Sequence, residues 1–511
     1  MKTGDKQIGA VDGILPTPTP SQSAVVNDVD GAWEFLDKHR NENIQDESIG
    51  ILAIRRKNDY RIVPLGFLLY TMQFMDKLAQ KYAGVMTMRE DLNLKGNDFS
   101  NLVTATYVAI AVWEIPTIYF LQRFPAAKYM AINAILWGIS TACGAAAHNY
   151  QSLLVTRIFL GIFEATINPS LMLISGRWYT KPEQAPRFSF WLLGLGIGQI
   201  VGGAISYGFQ LVSPTLPLQG WRIMFILLGL VTIVFGGLTF WYMPDTPMEA
   251  PWLTDREKVA LLKHISINQT GVENRKVRVA EISEALRDPQ VWLIWLSVTL
   301  FAGTGGITIA YSSTLIRNLG YTSKQATLLN MPAGLISITV MLIPGWAVRR
   351  GHHRWAWALG TLFPAIIGSA LMSFLPSTNK SGILAGIYLT NFIPGPLTIF
   401  WNWAPANIAG ATKRAFVSAL LGGFFAAGGI IGPQSFQARD APEYRPAKIT
   451  VLATQAAGAC TTFALFLYYV RQNRRKRSLN TVDMETEEAF MNPEVWARLT
   501  DRENTRFRYS Y

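Results

Sequence analysis

Cysteine is nearly absent: Cys143 and Cys460 are the only two in 511 residues. Both lie inside apolar stretches, so neither a disulfide framework nor a cysteine-based metal centre is expected. Charge is scarce too, at 16% Asp, Glu, Lys and Arg against 50% hydrophobic residues, a balance that argues against a soluble multidomain protein of this length. No G-x-x-x-x-G-K-S/T loop occurs, which disfavours ATP-driven chemistry by this chain. Histidine is rare, and His352 and His353 sit in RRGHHR with no carboxylate beside them, so no metal or catalytic role is expected there. The first twenty residues lack the apolar core of a signal peptide, and entry into a membrane falls to internal segments. The net charge of +12 does not point to nucleic acid, because the basic residues punctuate apolar runs.

Those runs dominate the chain. A bilayer core needs about 20 apolar residues per helix, and twelve candidates are found. Six lie near 62–80, 99–121, 129–147, 151–174, 188–210 and 223–243, and six near 290–316, 325–348, 355–375, 382–408, 415–437 and 449–470. The expected organisation is a disordered cytosolic tail (1–58), a six-helix bundle (59–243), a cytosolic linker (244–289), a second six-helix bundle (290–470) and a cytosolic tail (471–511). In the linker, Thr254 and Glu257 form a capping box before DREKVALLKHI. LTDRE recurs at 253–257 and 499–503, and two independent helix starts explain it. Glycines of the fifth span (Gly194, Gly198, Gly202, Gly203) are echoed in the eleventh (Gly422, Gly423, Gly428, Gly429, Gly432), as a duplicated six-span unit would show.

An even number of spans puts both termini on one side. Short loops give ten Lys and Arg on each side, counting Lys81 as an outer-loop residue and Lys413 and Arg414 as inner-loop residues. The flanks RRKNDYR and RQNRRKR raise the terminal side to nineteen, which predicts cytosolic termini. The sequon at Asn268 is then cytosolic, and that at Asn379 faces out close to the membrane.

Ionisable side chains inside spans cost several kcal/mol and default to functional roles. The first six spans hold Asp76, Lys77, Glu114, Arg157 and Glu164, and none is expected in the last six. Arg157 and Glu164 are seven residues apart, two turns on one face at about 10 Å, able to bracket a site. Two cations facing a cavity imply an anionic ligand: Arg157 offers a planar fork for a carboxylate and Lys77 a point charge. Asp76 and Glu164 are the candidate proton carriers, since desolvation and a nearby cation act oppositely on a buried carboxyl. The alternative is that these charges only neutralise one another and lock helices together. Glu114, beside Pro116, reads better as a helix-interface group. Tyr311, Asn402 and Asn407 could hydrogen-bond a ligand and Trp401 and Trp403 could wall it, although each residue type is more often structural.

RIVPLGFLLYTMQFMDK, WEIPT, RIFLGIFEATINPS, RWYTKPEQAPR, PDTP, IGPQSF, DAPEY and LTDRENTRFRY together resemble the major facilitator superfamily, most closely the fungal allantoate permease group of the anion:cation symporter family. The resemblance covers about residues 55–511. It implies two six-helix bundles rocking about a central site, and proton-coupled uptake of small organic anions such as allantoate, nicotinate, pantothenate or biotin. It also implies roles for Asp76, Lys77, Arg157 and Glu164, at positions where related carriers place a carboxylate, a cation, an arginine and a glutamate. This chain departs from the pattern in having Lys77 where arginine is usual. The gating loop is degraded to Gln122-Arg123 in one half, leaving Arg123 as a gating or structural candidate, and reads GWAVRRGHHR in the other. Gln199 follows Gly198 where exporters carry proline.

The expected protein is therefore an all-α membrane carrier, not an enzyme, without cofactor or metal. Its partners are a small organic anion, protons and the lipid bilayer, and it works as a monomer, with the plasma membrane as the expected location. Two readings compete with uptake: an exporter of an acidic metabolite, and a nutrient sensor of the same fold that binds without transport.

Overall fold

In the computed structural model, which describes residues 50–212, 217–266, 278–350, 353–480, 500–504 and 507–511, the apolar runs become helices and no strand occurs among those residues. The first half comprises α1 (Ile51–Val85), α2 (Asp98–Arg123), α3 (Ala126–Cys143), α4 (Tyr150–Glu164), α5 (Ile167–Trp178), α6 (Lys181–Leu192), α7 (Gly194–Phe209) and α8 (Gly220–Tyr242). The linker carries α9 (Asp255–Ser266) and α10 (Val279–Leu286). The second half comprises α11 (Pro289–Asn318), α12 (Ser323–Asn330), α13 (Pro332–Arg349), α14 (Arg354–Phe374), α15 (Lys380–Thr390), α16 (Pro394–Asn407), α17 (Ala411–Gln434) and α18 (Arg445–Asn480).

Several spans are two helices end to end. α4 and α5 meet just ahead of Pro169, which has no backbone N–H to continue the helical ladder, and α15 and α16 meet at Pro394. These breaks fall in the fourth span of each half, as a duplicated unit requires. Eleven helical stretches among the described residues are long and apolar enough to cross a membrane. α1 falls short of that hydropathy because it buries Thr71, Gln73, Asp76, Gln80 and Lys81 among its neighbours, and by its place in the bundle it is the twelfth span.

Within the first half α3 packs on α8, α2 on α4 and α1 on α7; within the second, α11 packs on α17 and α18, and α14 on α15. The halves meet where α2 lies along α17, α7 along α12 and α13, and α1 along α11. Close approach needs glycine at two of these seams. A Cβ on Gly161 would stand 2.6 Å from the Thr106 carbonyl oxygen, and one on Gly429 would stand 2.5 Å from the Tyr107 ring. Cys143 and Cys460 are free and face outward.

The expected boundaries shift at both ends. α1 begins at Ile51, not near 59, because its first turns are held in place: Arg55 pairs with Glu183, Lys57 with Glu257, and Arg187 with Asp59. It also runs past 80 to Val85, so Lys81 is a buried helical residue and not a loop residue. Helical character continues there because the second half, not water, surrounds that turn.

Lys413 is corrected likewise. It lies in the first turns of α17, fully buried, at 2.9 Å from Glu284, 2.8 Å from Asp288 and 2.8 Å from Asp501. The second half therefore does bury a charge, at its edge. Both LTDRE segments form the same capping box, Thr254 with Glu257 and Thr500 with Glu503. They nevertheless dock on different halves: Lys57 holds Glu257, whereas Lys413 holds Asp501. The chain's last residues are thus pinned to the second half, where Trp403 and Asn407 donate to the Ser510 carbonyl. The sequon at Asn268 lies outside the described residues, and Asn379 is committed to capping α15 through Gly382.

Glu183 gives this end of the bundle a pH dependence. Burial pushes its carboxyl up, but the Thr180 backbone N–H and the Arg55 guanidinium outweigh burial and hold it at about 2, below the ordinary 4.5. A depressed carboxylate contributes stability that is present above the ordinary value and lost as pH falls through the folded one. Glu183→Gln is therefore expected to lower the melting temperature of purified protein near neutral pH. The gap to the parent should close as pH falls from about 4.5 toward 2. Identical melting curves for the two proteins at neutral pH would show that the pair contributes nothing.

Candidate functional site

Asp76, Lys77, Gln80 and Lys81 occupy successive turns of α1 and present one face to a cavity. Tyr107 of α2 and Arg157 of α4 close it from the same half, and Ile309 and Ala310 of α11 from the other. The site thus lies where the halves meet. Its volume is about 20 Å³, room for roughly one water, so an organic ligand requires the halves to part.

The Asn149–Ser152 capping box opens α4, and Gly161 lets the helix lie against α2. Arg157, 2% exposed, is thereby held with its guanidinium 4.7 Å from the Phe225 ring centre. Its Nε and Nη2 have no hydrogen-bond partner. Two donors of one planar fork are left unmet inside the bundle, a geometry that a carboxylate satisfies.

Glu164 is the last residue of α4, fully buried, with Oε1 2.6 Å from Lys77 Nζ. A cation is well placed at a helix C-terminus, and Lys77 fills that place as well as pairing the carboxylate. Asp76 is held differently. Its Oδ2 accepts from Trp137 Nε1 at 2.9 Å and Thr141 Oγ1 at 3.2 Å, while Oδ1 is buried without a partner. One carboxyl is therefore governed by an ammonium and the other by neutral donors, although Lys77 and Asp76 are neighbours on α1.

Of the residues singled out from sequence, Asp76, Lys77 and Arg157 line the cavity, and Glu164 joins them through Lys77. Tyr311 does not line it. Its ring stacks on Phe436 with centroids 4.1 Å apart and its hydroxyl bonds Ser100, tying α11 to α2 just past the cavity. Asn402 donates to its own helix at Thr398, and Asn407 and Trp403 are taken up by Ser510. Trp401 stands near Phe188, ring centres 6.5 Å apart. Glu114 touches the backbone position of Gly422 on α17, so it sits in the seam between the halves. Arg123 is exposed at the end of α2, over the Tyr119 ring.

Lys81, Gln80, Tyr107, Trp137 and Thr141 were not singled out. Lys81 is legible in principle, one turn beyond Lys77 on the same face, but hydropathy places the end of the span before it. The neutral residues carry no sequence signal that separates them from core.

Hydrogen bonds between the halves gather at the end of the bundle remote from the termini. Lys81 and Gln199 both donate to Asn330 Oδ1, at 2.8 and 3.0 Å, and Asn97 donates to Gln437 at 2.6 Å. Gln434 donates to Thr104 at 2.8 Å, and Gln210 to Thr327 at 2.9 Å. The ion pairs of Arg55, Arg187 and Lys413 at the terminal end run within each half and its attached segments. The far end is latched shut in this conformation.

Comparison with known proteins agrees with this architecture. A family model described as Major Facilitator Superfamily matches residues 65–433. A thiamine pathway transporter of Saccharomyces cerevisiae is 36% identical over 460 residues, covering 90% of this chain and 86% of that protein. The allantoate permease of the same yeast is 31% identical over 469 residues, covering 89% and 86%. Among solved structures, an inward-facing bacterial homologue of the human lysosomal transporter Spinster superposes with a TM-score of 0.60 at 15% identity, covering 79% of this chain and 96% of that one. A D-xylose-proton symporter gives 0.58 at 16%, covering 80% and 97%.

Proposed function

The chain belongs to the Major Facilitator Superfamily, and from that premise we propose that it is a proton-coupled symporter taking up a small organic anion by alternating access. The observation that carries the reading is Arg157, a buried guanidinium with two unmet donors, facing the same cavity as Asp76 and within reach of the Lys77–Glu164 pair. A ligand carboxylate fills the fork, and the two carboxyls supply sites where a proton can be carried. The relatedness to the yeast allantoate permease supports a carboxylate substrate.

In this reading both termini are cytosolic and the membrane is the plasma membrane. The latched far end then faces outside, so the structure is closed to the exterior. Loading requires the contacts of Lys81, Gln199 and Asn97 with the second half to break while the bundles rock about the site. Glu114, packed on Gly422 in the seam between α2 and α17, moves with that rocking.

The test is uptake by a transport-deficient cell screened against labelled carboxylates, with the pH gradient and membrane potential set independently. Accumulation is expected to follow the inward proton gradient and to stop when a protonophore collapses it. Uptake that continues unchanged without either gradient overturns proton coupling.

A further inference from the structure

In the proton-coupled reading Lys81 serves only as a latch contact between the halves, yet it is the most deeply placed cation of α1. It lies one turn beyond Lys77, about 6 Å along the axis, and lines the same cavity at 1% exposure. Its ammonium donates to Asn330 Oδ1 at 2.8 Å and Ser312 Oγ at 3.2 Å, both neutral, and stands 4.8 Å from the Tyr82 ring centre. Among the described residues no carboxylate pairs with it. Leaving a charge buried without a counter-ion is strongly unfavourable, and an ammonium has three donors, of which two are used here.

The rest of the cavity is short of acceptors in the same way. Arg157 Nε and Nη2 and Gln80 Nε2 are buried donors without partners, whereas the unmet acceptor among the lining side chains is Asp76 Oδ1 alone. Lys77 is already committed to Glu164 at 2.6 Å. Two positions therefore offer unmet donors to an anion: the Arg157 fork on α4, which shares the cavity with Asp76, and the Lys81 ammonium on α1, with which no carboxylate pairs among the described residues. They are separate: Lys81 faces the latch to α11 and α12, and Arg157 the Phe225 side. A single carboxylate on the Arg157 fork would still leave Lys81 uncompensated.

We propose that the ligand of this site carries two acidic groups, one held by Arg157 and the other by Lys81, so that Lys81 selects a small dicarboxylate, or a carboxylate with a second ionised group, over a monoacid. This rests on the organic-anion reading of the cavity and narrows it. Lys81 gives up its bonds to Asn330 and Ser312 while the halves part for loading and regains them on closure, with its third N–H left for the ligand. The second acid thereby joins the latch between the halves.

The test uses purified full-length protein at about pH 7, where both acids of each probe are ionised, with matched pairs of equal skeleton: butyrate against succinate, and benzoate against phthalate. Binding is read from thermal stabilisation as a function of probe concentration. In the parent the diacid of a binding pair should half-saturate at a concentration roughly tenfold or more below its monoacid, the scale of one charge-assisted hydrogen bond. Lys81→Met should bring diacid and monoacid to near parity by weakening the diacid far more than the monoacid, and Lys81→Arg should restore the preference. Equal affinity for the members of a binding pair in the parent overturns the proposal. So does a Lys81→Met protein that weakens both acids alike, the mark of a purely structural lysine. If Lys81→Met does not fold, the preference of the parent decides alone. If no probe of either class stabilises the parent, the organic-anion reading fails and this proposal fails with it. Binding of monoacids without discrimination sinks only the second site.

Discussion

Replacing Arg157 by Met is expected to abolish ligand binding and transport, and replacing it by Lys to weaken binding by about 1 to 3 kcal/mol, roughly fivefold to 150-fold in Kd. The difference between the two variants is the point. Arg157 is buried to 2% exposure beside Phe225, with Nε and Nη2 unmet. Lys keeps the charge in that place but replaces a flat pair of donors by a single ammonium that cannot grip both carboxylate oxygens at once. Met removes the charge as well, and a ligand anion brought into the closed cavity would then be desolvated without its partner, the costly half of a broken buried pair. Affinity is read by equilibrium binding of the labelled substrate found in the uptake panel, and folding by the melting temperature without ligand. A Lys variant that binds and transports like the parent places the anchor elsewhere, with Lys77 or Lys81 next in line.

Spans with high hydropathy were legible because a bilayer imposes length and apolarity together. α1 was legible only in part. The side chains that line the cavity, Asp76, Lys77, Gln80 and Lys81, also depress its hydropathy, so hydropathy ends the span before Lys81 whereas the helix runs to Val85. At the other end, Lys413 reads as a loop residue until Asp288 and Asp501, far off in sequence, are seen beside it. The charged part of the site is visible from the cost of placing ions in a membrane, which singles out Asp76, Lys77, Arg157 and Glu164. Which charges pair with which was not visible. Lys77 joins Glu164 across 87 positions, while Asp76, one residue earlier, turns to Trp137 and Thr141. Neutral candidates fared differently, since Asn or Tyr in a membrane helix serves a seam as readily as a ligand. Tyr311 and Asn407 are occupied by Ser100 and Ser510.

These pairings bear on how a proton gradient can be used. A coupling carboxyl has to exchange its proton for a different partner in different states. Asp76 Oδ2 is fixed by two neutral donors, and only its Oδ1 is open to a new partner. Glu164 faces a cation on a different helix, so its protonation frees Lys77 Nζ and its ionisation recaptures it. In the proposed symport, loss of the proton would close α1 on α4 electrostatically, whereas gain of the proton would release a cation toward the cavity where an anion can take it.

Glu164→Gln is accordingly expected to abolish uphill accumulation while sparing exchange. The amide has nearly the volume of the protonated acid and, like it, carries no charge to hold Lys77 Nζ, which stands 2.6 Å from Oε1 in the parent. It has no proton to release. A carrier locked in this form can bind the anion, reorient while loaded and swap labelled for unlabelled substrate, but it cannot return empty after discharging a proton, so a pH gradient performs no work on it. Counterflow in proteoliposomes should therefore persist near the parent rate, and concentrative uptake driven by an imposed pH gradient should vanish. Asp76→Asn is the control: its carbonyl can keep the bonds from Trp137 and Thr141 while the amide replaces the unpartnered Oδ1, so the same phenotype there would mean that the two carboxyls titrate as one unit. If Glu164→Gln loses exchange together with accumulation at an unchanged melting temperature, Glu164 belongs to the binding geometry and not to coupling. If both activities persist, the proton travels through Asp76 or through Glu114 at the seam of α2 and α17.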